Sequence, residues 1–399
     1  MTKPPAWRPD PELALVILCA RPRACAADPA TLAGAAARVT DWDRFFELAL
    51  WHGLLPLASQ SHQERPFLPE PVATRLAEAA KTNVIRALRY SAALLRVIDR
   101  LQADGVPVVA LKGPALAAQV YGDPALRSFV DLDILIREKH LRTALASLRI
   151  LGYEPALPGD ETGRHSLRAR QHSVLHHAQS SITLEVHWRL ARANAGVRMH
   201  TDDVFSRAEP VPLLGRVVHS LTPSDQFLYL AVHAANDGWN QLEHLRTLGE
   251  MVTQHPGTDW RAQMERAWAL RIGRRVHVAA RLLQALGVQW NDQILTKLSA
   301  DGGADRLAKQ AQNAWGAMRP REPGAPGAIS AFMQSLDTHC ARASYAVRVA
   351  LEADEVDQAT FHLPRQLYPL YCVLRPSRLA VRSAKRVLQG VRSTNHAGE

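Results

Sequence analysis

Apolar residues recur at helical spacing over roughly the first hundred positions of this chain. They give way to short apolar and alternating runs between 106 and 190, and return to helical spacing from Thr222 onward. A period near 3.6 marks an amphipathic helix, and a period of 2 marks a strand with two different faces. Pro11 or Glu12 opens a first helix over 12–21. The run DWDRFFELALWH, Asp41 to His52, predicts a second helix, with Thr40 as its N-cap and Phe45, Leu48 and Leu50 recurring along its apolar stripe. Pro66 to Pro71 reads as a loop. Val72 to Ala103 reads as a long helix that stops at Asp104-Gly105.

The middle of the chain alternates in character. Val106 to Leu111 predicts a buried strand. Pro114 suits the first turn of a helix, where its missing N–H leaves nothing unsatisfied, and that helix runs to about Tyr121. Gly122-Asp123-Pro124 is a turn. Phe129 to Ile136 is a second strand, on which Asp131 and Asp133 share one face while Val130, Leu132 and Ile134 point into a core. Glu138 to Leu151 reads as an amphipathic helix closed by Gly152, followed by a strand from Tyr153 and a polar loop over 158–168. His172 to Ala178 and Ser181 to Arg189 then predict a hairpin. In SITLEVHWR, Ile182, Leu184, Val186 and Trp188 take one face and Ser181, Thr183, Glu185 and His187 take a wet one.

Thr222-Pro223-Ser224-Asp225 has the form of a helix start, with Thr222 at the N-cap and Pro223 in the first turn. Further helices are expected over 241–254, 258–286 and 291–300, a proline–glycine linker over 319–328, and another helix from Ile329 to Asp354. The expected organisation is a helical region over 1–104, an α/β core over 105–220, a helical domain over 221–318, and a linker, helix and basic tail over 319–399. There is no internal repeat.

Composition narrows this picture only in part. The net charge is +10 and arginine supplies most of the positive side, which suits an anionic partner such as phosphate but fits a solvated basic surface equally well. The tail from Arg365 to Arg392 could lie on an anionic membrane as a peripheral contact, although a terminal helix with arginines in water is preferred. Nucleic-acid binding is permitted by charge alone, but no reader motif supports it. Four cysteines, Cys19, Cys25, Cys340 and Cys372, show neither metal spacing nor a disulfide framework and fit a cytoplasmic protein. The apolar run Leu13 to Ala20 follows Asp10 and Glu12 and precedes Arg21 and Arg23, so it reads as a core helix and not as a secretory signal. No apolar run reaches the ~20 residues of a membrane span.

The candidate chemistry lies between Lys112 and His187. Two carboxylates side by side, Asp131 and Asp133, repel unless a positive group sits between them, and the usual group is Mg²⁺, which leaves room for substrate phosphates. Glu185 is a third acid on a polar strand face. His187 shares that face and could orient an acceptor. His172, His176, His177 and His187 could suggest zinc, but the neighbours His176 and His177 point to opposite faces. His233, Asn236 and Asp237, near a helix end, are assigned to packing or capping.

Taken together, LKGPAL, YGDPALRSFVDLDILI, LEVHW and LAVHAANDGW resemble the uncharacterised nucleotidyltransferase-like proteins of the polymerase-β superfamily, most strongly over about 106–190. The resemblance implies an α+β fold: a small mixed β-sheet core flanked by N- and C-terminal helical regions. It implies Mg²⁺-dependent transfer of an NMP group from an NTP, with ATP the expected nucleotide. The acceptor is unidentified, in a polysaccharide or peptide-modification setting. Asp131, Asp133 and Glu185 would be the catalytic and metal-holding residues. Lys112, Gly113 and Arg127 would bind the nucleotide at the glycine turn and helix N-terminus, and His187 would stand on the acceptor side. The turn departs from the superfamily's usual Gly-Ser or Gly-Gly in carrying Gly113-Pro114, which removes a hydroxyl and an N–H. That departure favours the alternative, a catalytically inactive relative that binds a nucleotide or serves as a scaffold.

Overall fold

Aspartate caps and prolines start the N-terminal helices of this protein, whose computed structural model describes residues 8–156, 171–191, 196–291, 293–294, 296, 301–318, 326–351, 360–361, 363, 367 and 370–378. Helix α1 (Pro11–Cys19) begins where the Asp10 carboxylate accepts the Leu13 N–H at 2.8 Å, and α2 (Pro29–Ala36) begins in the same way at Asp28. The cap of α3 (Trp42–Trp51) is Asp41, not Thr40: Asp41 accepts the Arg44 N–H, while Thr40 donates its own N–H to the buried Glu12 carboxylate at 2.9 Å. Leu50 is also displaced from the expected stripe. It is 61% exposed, and Ala49 joins Phe45 and Leu48 in the core instead. Helices α4 (Leu55–Glu64) and α5 (Glu70–Ala103) complete this region.

The sheet then begins. Its elements are β1 (Val109–Ala110), α6 (Gly113–Tyr121), β2 (Asp131–Leu135), α7 (Leu141–Ile150), β3 (Tyr153–Pro155), β4 (His172–His177) and β5 (Thr183–His187). They are followed by α8 (Thr201–Arg207), β6 (Glu209–Leu213) and β7 (Arg216–Ser220). The seven strands lie in the order β3-β4-β5-β2-β1-β7-β6. Two pairs, β2 with β5 and β1 with β7, are parallel and the others antiparallel, so the sheet is mixed. The expected α+β class, a mixed sheet between helical flanks, is what is found. The β6–β7 hairpin escaped the sequence reading, because Pro210 and Pro212 argue against a strand and the exposed Val217 beside buried Val218 blurs the apolar–polar alternation. The 158–168 loop lies outside the described residues.

Two cores back this sheet. Ala110, Leu132, Ile134, Leu184 and Val186 pack with Leu94, Ile98 and Leu101 of α5 and with Leu141 and Leu148 of α7. Val109, Leu111 and Leu135 from the opposite face join the larger helical core. That core is built from the N-terminal helices with α9 (Pro223–Asn236), α10 (Leu242–Gln254), α11 (Trp260–Ala269), α12 (Gly273–Ala285) and α13 (Gly302–Ala314). The helix expected over 258–286 is two, because Arg271 adopts a positive φ of 60° and breaks the run. Val130, placed in the core by alternation, is 68% exposed just before β2 begins.

Chain contacts divide the protein into two units, Met1–Asp337 and Thr338–Glu399. The first ends with α14 (Pro326–Gln334) and the second carries α15 (His339–Leu351). The expected helix from 329 to 354 is therefore interrupted after Gln334. Most of the basic tail and of the 319–328 linker lies outside the described residues. Among the described residues no helix is long and apolar enough to cross a membrane.

Candidate functional site

Side chains converge where β2, β5 and the start of α6 meet. The β2–β5 register sets Asp131 opposite Thr183, Asp133 opposite Glu185 and Leu135 opposite His187. Partners opposite each other in neighbouring strands direct their side chains to the same face. Asp133 and Glu185 therefore come together by backbone pairing alone. The segment leading into β2 is held from α5: the Asn83 amide donates to the Ala125 and Arg127 carbonyls at 2.8 and 3.2 Å, and the Tyr90 hydroxyl donates to the Val130 carbonyl at 2.9 Å.

At the other side, Lys112 is extended and Gly113 turns with φ of +61°, a left-handed value that Gly alone adopts freely. A Cβ at Gly113 would also lie 3.4 Å from the Asp131 carbonyl, so the turn is fitted tightly to β2. Pro114 then enters α6. The turn and the first residues of α6 are buried.

Asp133 is the hub. Its Oδ1 lies 3.0 Å from Lys112 Nζ and 3.1 Å from His187 Nε2, while its Oδ2 is buried and meets no hydrogen-bond partner among the described residues. Burial would raise this carboxyl, but Lys112 and His187 outweigh it and hold Asp133 below the usual carboxylate range. Burial would likewise lower Lys112, and Asp133 reverses that direction. His187 Nε2 lies 3.1 Å from both Asp133 Oδ1 and Glu185 Oε2, so one N–H is shared between two carboxylates. Against the effect of burial, those carboxylates raise the His187 imidazole. His187 is only 4% exposed, so the face expected to be wet is largely closed.

Among the described residues Asp131 makes no such ion pair of its own. Burial first, then the Asp133 charge, pushes its carboxyl up from 3.8 to about 6. Its ionised form therefore works against the fold. The folded group binds a proton that the unfolded one has lost between pH 4 and 6, so the cost is full at pH 7, shrinks as pH falls through about 6 and vanishes below about 4. Asp131→Asn is expected to stabilise the protein by about 1–3 kcal/mol at pH 7 in urea denaturation, and by progressively less toward pH 4. A stability difference independent of pH would contradict this reading of Asp131.

The expected nucleotide-binding cations are both engaged within the protein. Lys112 meets Asp133. Arg127, 5% exposed, makes a forked pair with Glu243 of α10, Nε to Oε1 at 2.5 Å and Nη2 to Oε2 at 3.0 Å. Thr247 donates its hydroxyl to the same Oε1 at 2.8 Å.

Two triads of ligating atoms lie within 4.8 Å among the described residues: His172, Glu185 and His187, and His233, Asp237 and His244. The carboxyls of Asp131, Asp133 and Glu185 do not close to that distance as a set. Mutual repulsion, and the hold of Lys112 and His187 on Asp133 and Glu185, account for the separation. The donor chemistry nevertheless suits a divalent cation: a pair of carboxylates, one raised by the other, and a buried oxygen left unpaired. His176 and His177 are not in the first triad; the His176 ring meets the Thr183 hydroxyl at 3.1 Å instead.

Sequence reasoning left Tyr229, His233, Glu243 and His244 without a chemical role. Tyr229 is buried, and Lys112 and Asp133 both act on its hydroxyl electrostatically. The four-residue steps from Tyr229 to His233 and from His233 to Asp237 are the signal that could have placed a polar stripe of α9 toward the acids. Glu243 and His244 carried no such local signal.

Comparison with known proteins places this geometry in context. The family described as an uncharacterised nucleotidyltransferase matches residues 38–287, from just before α3 to just after α12. No curated protein matches the chain.

Proposed function

This chain belongs to the uncharacterised nucleotidyltransferase family, which implies a nucleotide substrate, and from that premise we propose that it transfers an NMP group from an NTP to a hydroxyl or phosphate acceptor with Mg²⁺. The observation that carries the proposal is the Asp133–Glu185 register beside Asp131, with Asp133 Oδ2 buried and unpaired among the described residues. Asp131, Asp133 and Glu185 would hold the cation, closing on it once their repulsion is offset. When bound, Mg²⁺ would neutralise charge on the transferring phosphate and lower the barrier for the attacking oxygen.

The remaining residues act on that carboxylate set. Lys112 and His187 favour the ionised form of Asp133, the form that binds a cation. His187 ties Asp133 to Glu185 through its shared N–H and sets the spacing of two strands' carboxylates. His187 is assigned to the acceptor side as an orienting group. ATP is the first nucleotide to test.

A second reading is favoured by a specific observation. Lys112 and Arg127, the cations expected to bind the nucleotide, are internally paired, and the Gly113-Pro114 turn is buried. A protein that binds nucleotide without turnover would share these features. Incubation of the full-length protein with Mg²⁺ and each labelled NTP, with and without cell extract as acceptor source, separates the two. The proposal expects pyrophosphate release and a labelled acceptor, both lost in Asp131→Asn/Asp133→Asn. Release that the double variant retains would remove these acids from the chemistry. Binding without release across all NTPs and extracts would select the silent relative.

A further inference from the structure

The second triad lies on the helical side, where α9 ends and α10 begins. His233 and Asp237 are one turn apart on α9 and its C-terminal cap, with His233 Nε2 3.6 Å from Asp237 Oδ2. His244 comes from the first turn of α10, and its ring crosses that of His233 nearly at right angles with centroids 5.1 Å apart. One ligating atom from each of the three lies within 4.8 Å of the others.

Two further observations point to a ligand. His244 is 7% exposed, yet its Nδ1 is buried and meets no hydrogen-bond partner among the described residues. Its other nitrogen, Nε2, faces Glu243 Oε2 at 3.8 Å, and Glu243 is itself locked by Arg127 and Thr247. At 3.8 Å this is a charge contact and not a hydrogen bond, and it leaves Glu243 as a nearby carboxylate beside the His244 ring. An unpartnered nitrogen of a buried imidazole is a donor atom that a cation can use.

We propose that His233, Asp237 and His244 form a second cation site, separate from the Asp131–Asp133–Glu185 set, that takes a zinc-class divalent ion. Two imidazoles and one carboxylate suit zinc or cobalt and not magnesium, which prefers oxygen donors and keeps its waters. Three protein ligands leave a fourth position of a tetrahedral ion for water or an anionic oxygen. Asp237 is half exposed and His233 about a quarter exposed, so the ion can enter from solvent, while His244 forms the closed end. Lys112 and Arg127, the fixed cations nearby, are each offset by a carboxylate, Asp133 and Glu243. The same triad on an ordinary helix end would be a weak His–Asp pair, which would leave the His244 Nδ1 unexplained.

This site does not depend on nucleotidyl transfer, and its test uses no activity measurement. Full-length protein is stripped with a chelator, then titrated with Co²⁺ alone while visible absorption is recorded, and with Zn²⁺ alone while bound metal is counted by mass spectrometry. One tightly held ion per chain is expected, with the intense visible bands of four-coordinate cobalt. Asp237→Asn, at a half-exposed cap position that leaves the fold intact, and His244→Ala should each weaken binding ~10-fold or more. Asp131→Asn and His172→Ala should leave it unchanged. Binding that is equal in parent and Asp237→Asn would overturn the site. Loss of the ion on His172→Ala alone would transfer it to the triad at Glu185 and equally overturn this assignment.

Discussion

Asp133→Ala is expected to lower pyrophosphate release by roughly 10³-fold or more and to destabilise the fold by about 3–5 kcal/mol. The two effects share one cause. Asp133 is fully enclosed, and its Oδ1 holds both Lys112 and His187. Removing the carboxylate strands an ammonium that is 8% exposed, and a buried unpaired charge is among the most damaging defects a core can carry. It also removes a carboxylate that Lys112 and His187 hold below the usual range against the effect of burial. Urea denaturation and the NTP assay measure the two effects separately. Lys112→Met/Asp133→Ala deletes both charges and should recover most of the lost stability while leaving turnover at the floor. A double variant no more stable than Asp133→Ala would show that packing, and not the stranded ammonium, carries the defect. An Asp133→Ala protein within tenfold of parental turnover would remove the carboxylate from the reaction.

The Arg127–Glu243 pair supplies the second large effect. Both side chains are buried, and the forked geometry with Thr247 satisfies both carboxylate oxygens. Arg127→Ala and Glu243→Ala should each cost about 3–5 kcal/mol, because each leaves its partner charged and enclosed. Arg127→Met/Glu243→Leu should return to within about 1–2 kcal/mol of the parent, since a well-packed apolar pair can replace a buried ion pair. Midpoints of urea denaturation for the four proteins decide this, and single variants within about 1 kcal/mol of the parent would show the pair to be dispensable. The double variant also addresses the nucleotide expectation for Arg127. If it folds and binds NTP as the parent does, the guanidinium positions the β2 approach against α10. If it folds but loses NTP affinity, the guanidinium reaches the phosphates.

Much of the candidate site was legible because its signals are local. Alternation in SITLEVHWR put Glu185 and His187 on one face of their strand, the two-residue spacing put Asp131 and Asp133 on one face of theirs, and Gly113-Pro114 announced a turn into a helix; that the two faces are the same face of the sheet came from the register. Errors arose where neighbours compete. Thr40 has the chemistry of a cap, but Glu12 takes its donors and Asp41 caps instead. Alternation sent Val130 inward, although β2 starts only at the next residue.

By itself, then, the chain order of apolar and polar residues determined which segments become strands and helices, and which side chains share a face, because backbone geometry imposes periods of 2 and 3.6 on any sequence. Only the tertiary structure decided who meets whom. Arg127 and Glu243 are 116 residues apart, and His187 and Asp133 are 54 apart. Such partners are selected by strand register and helix packing, where burial forces every charge to find an opposite one regardless of its distance along the chain.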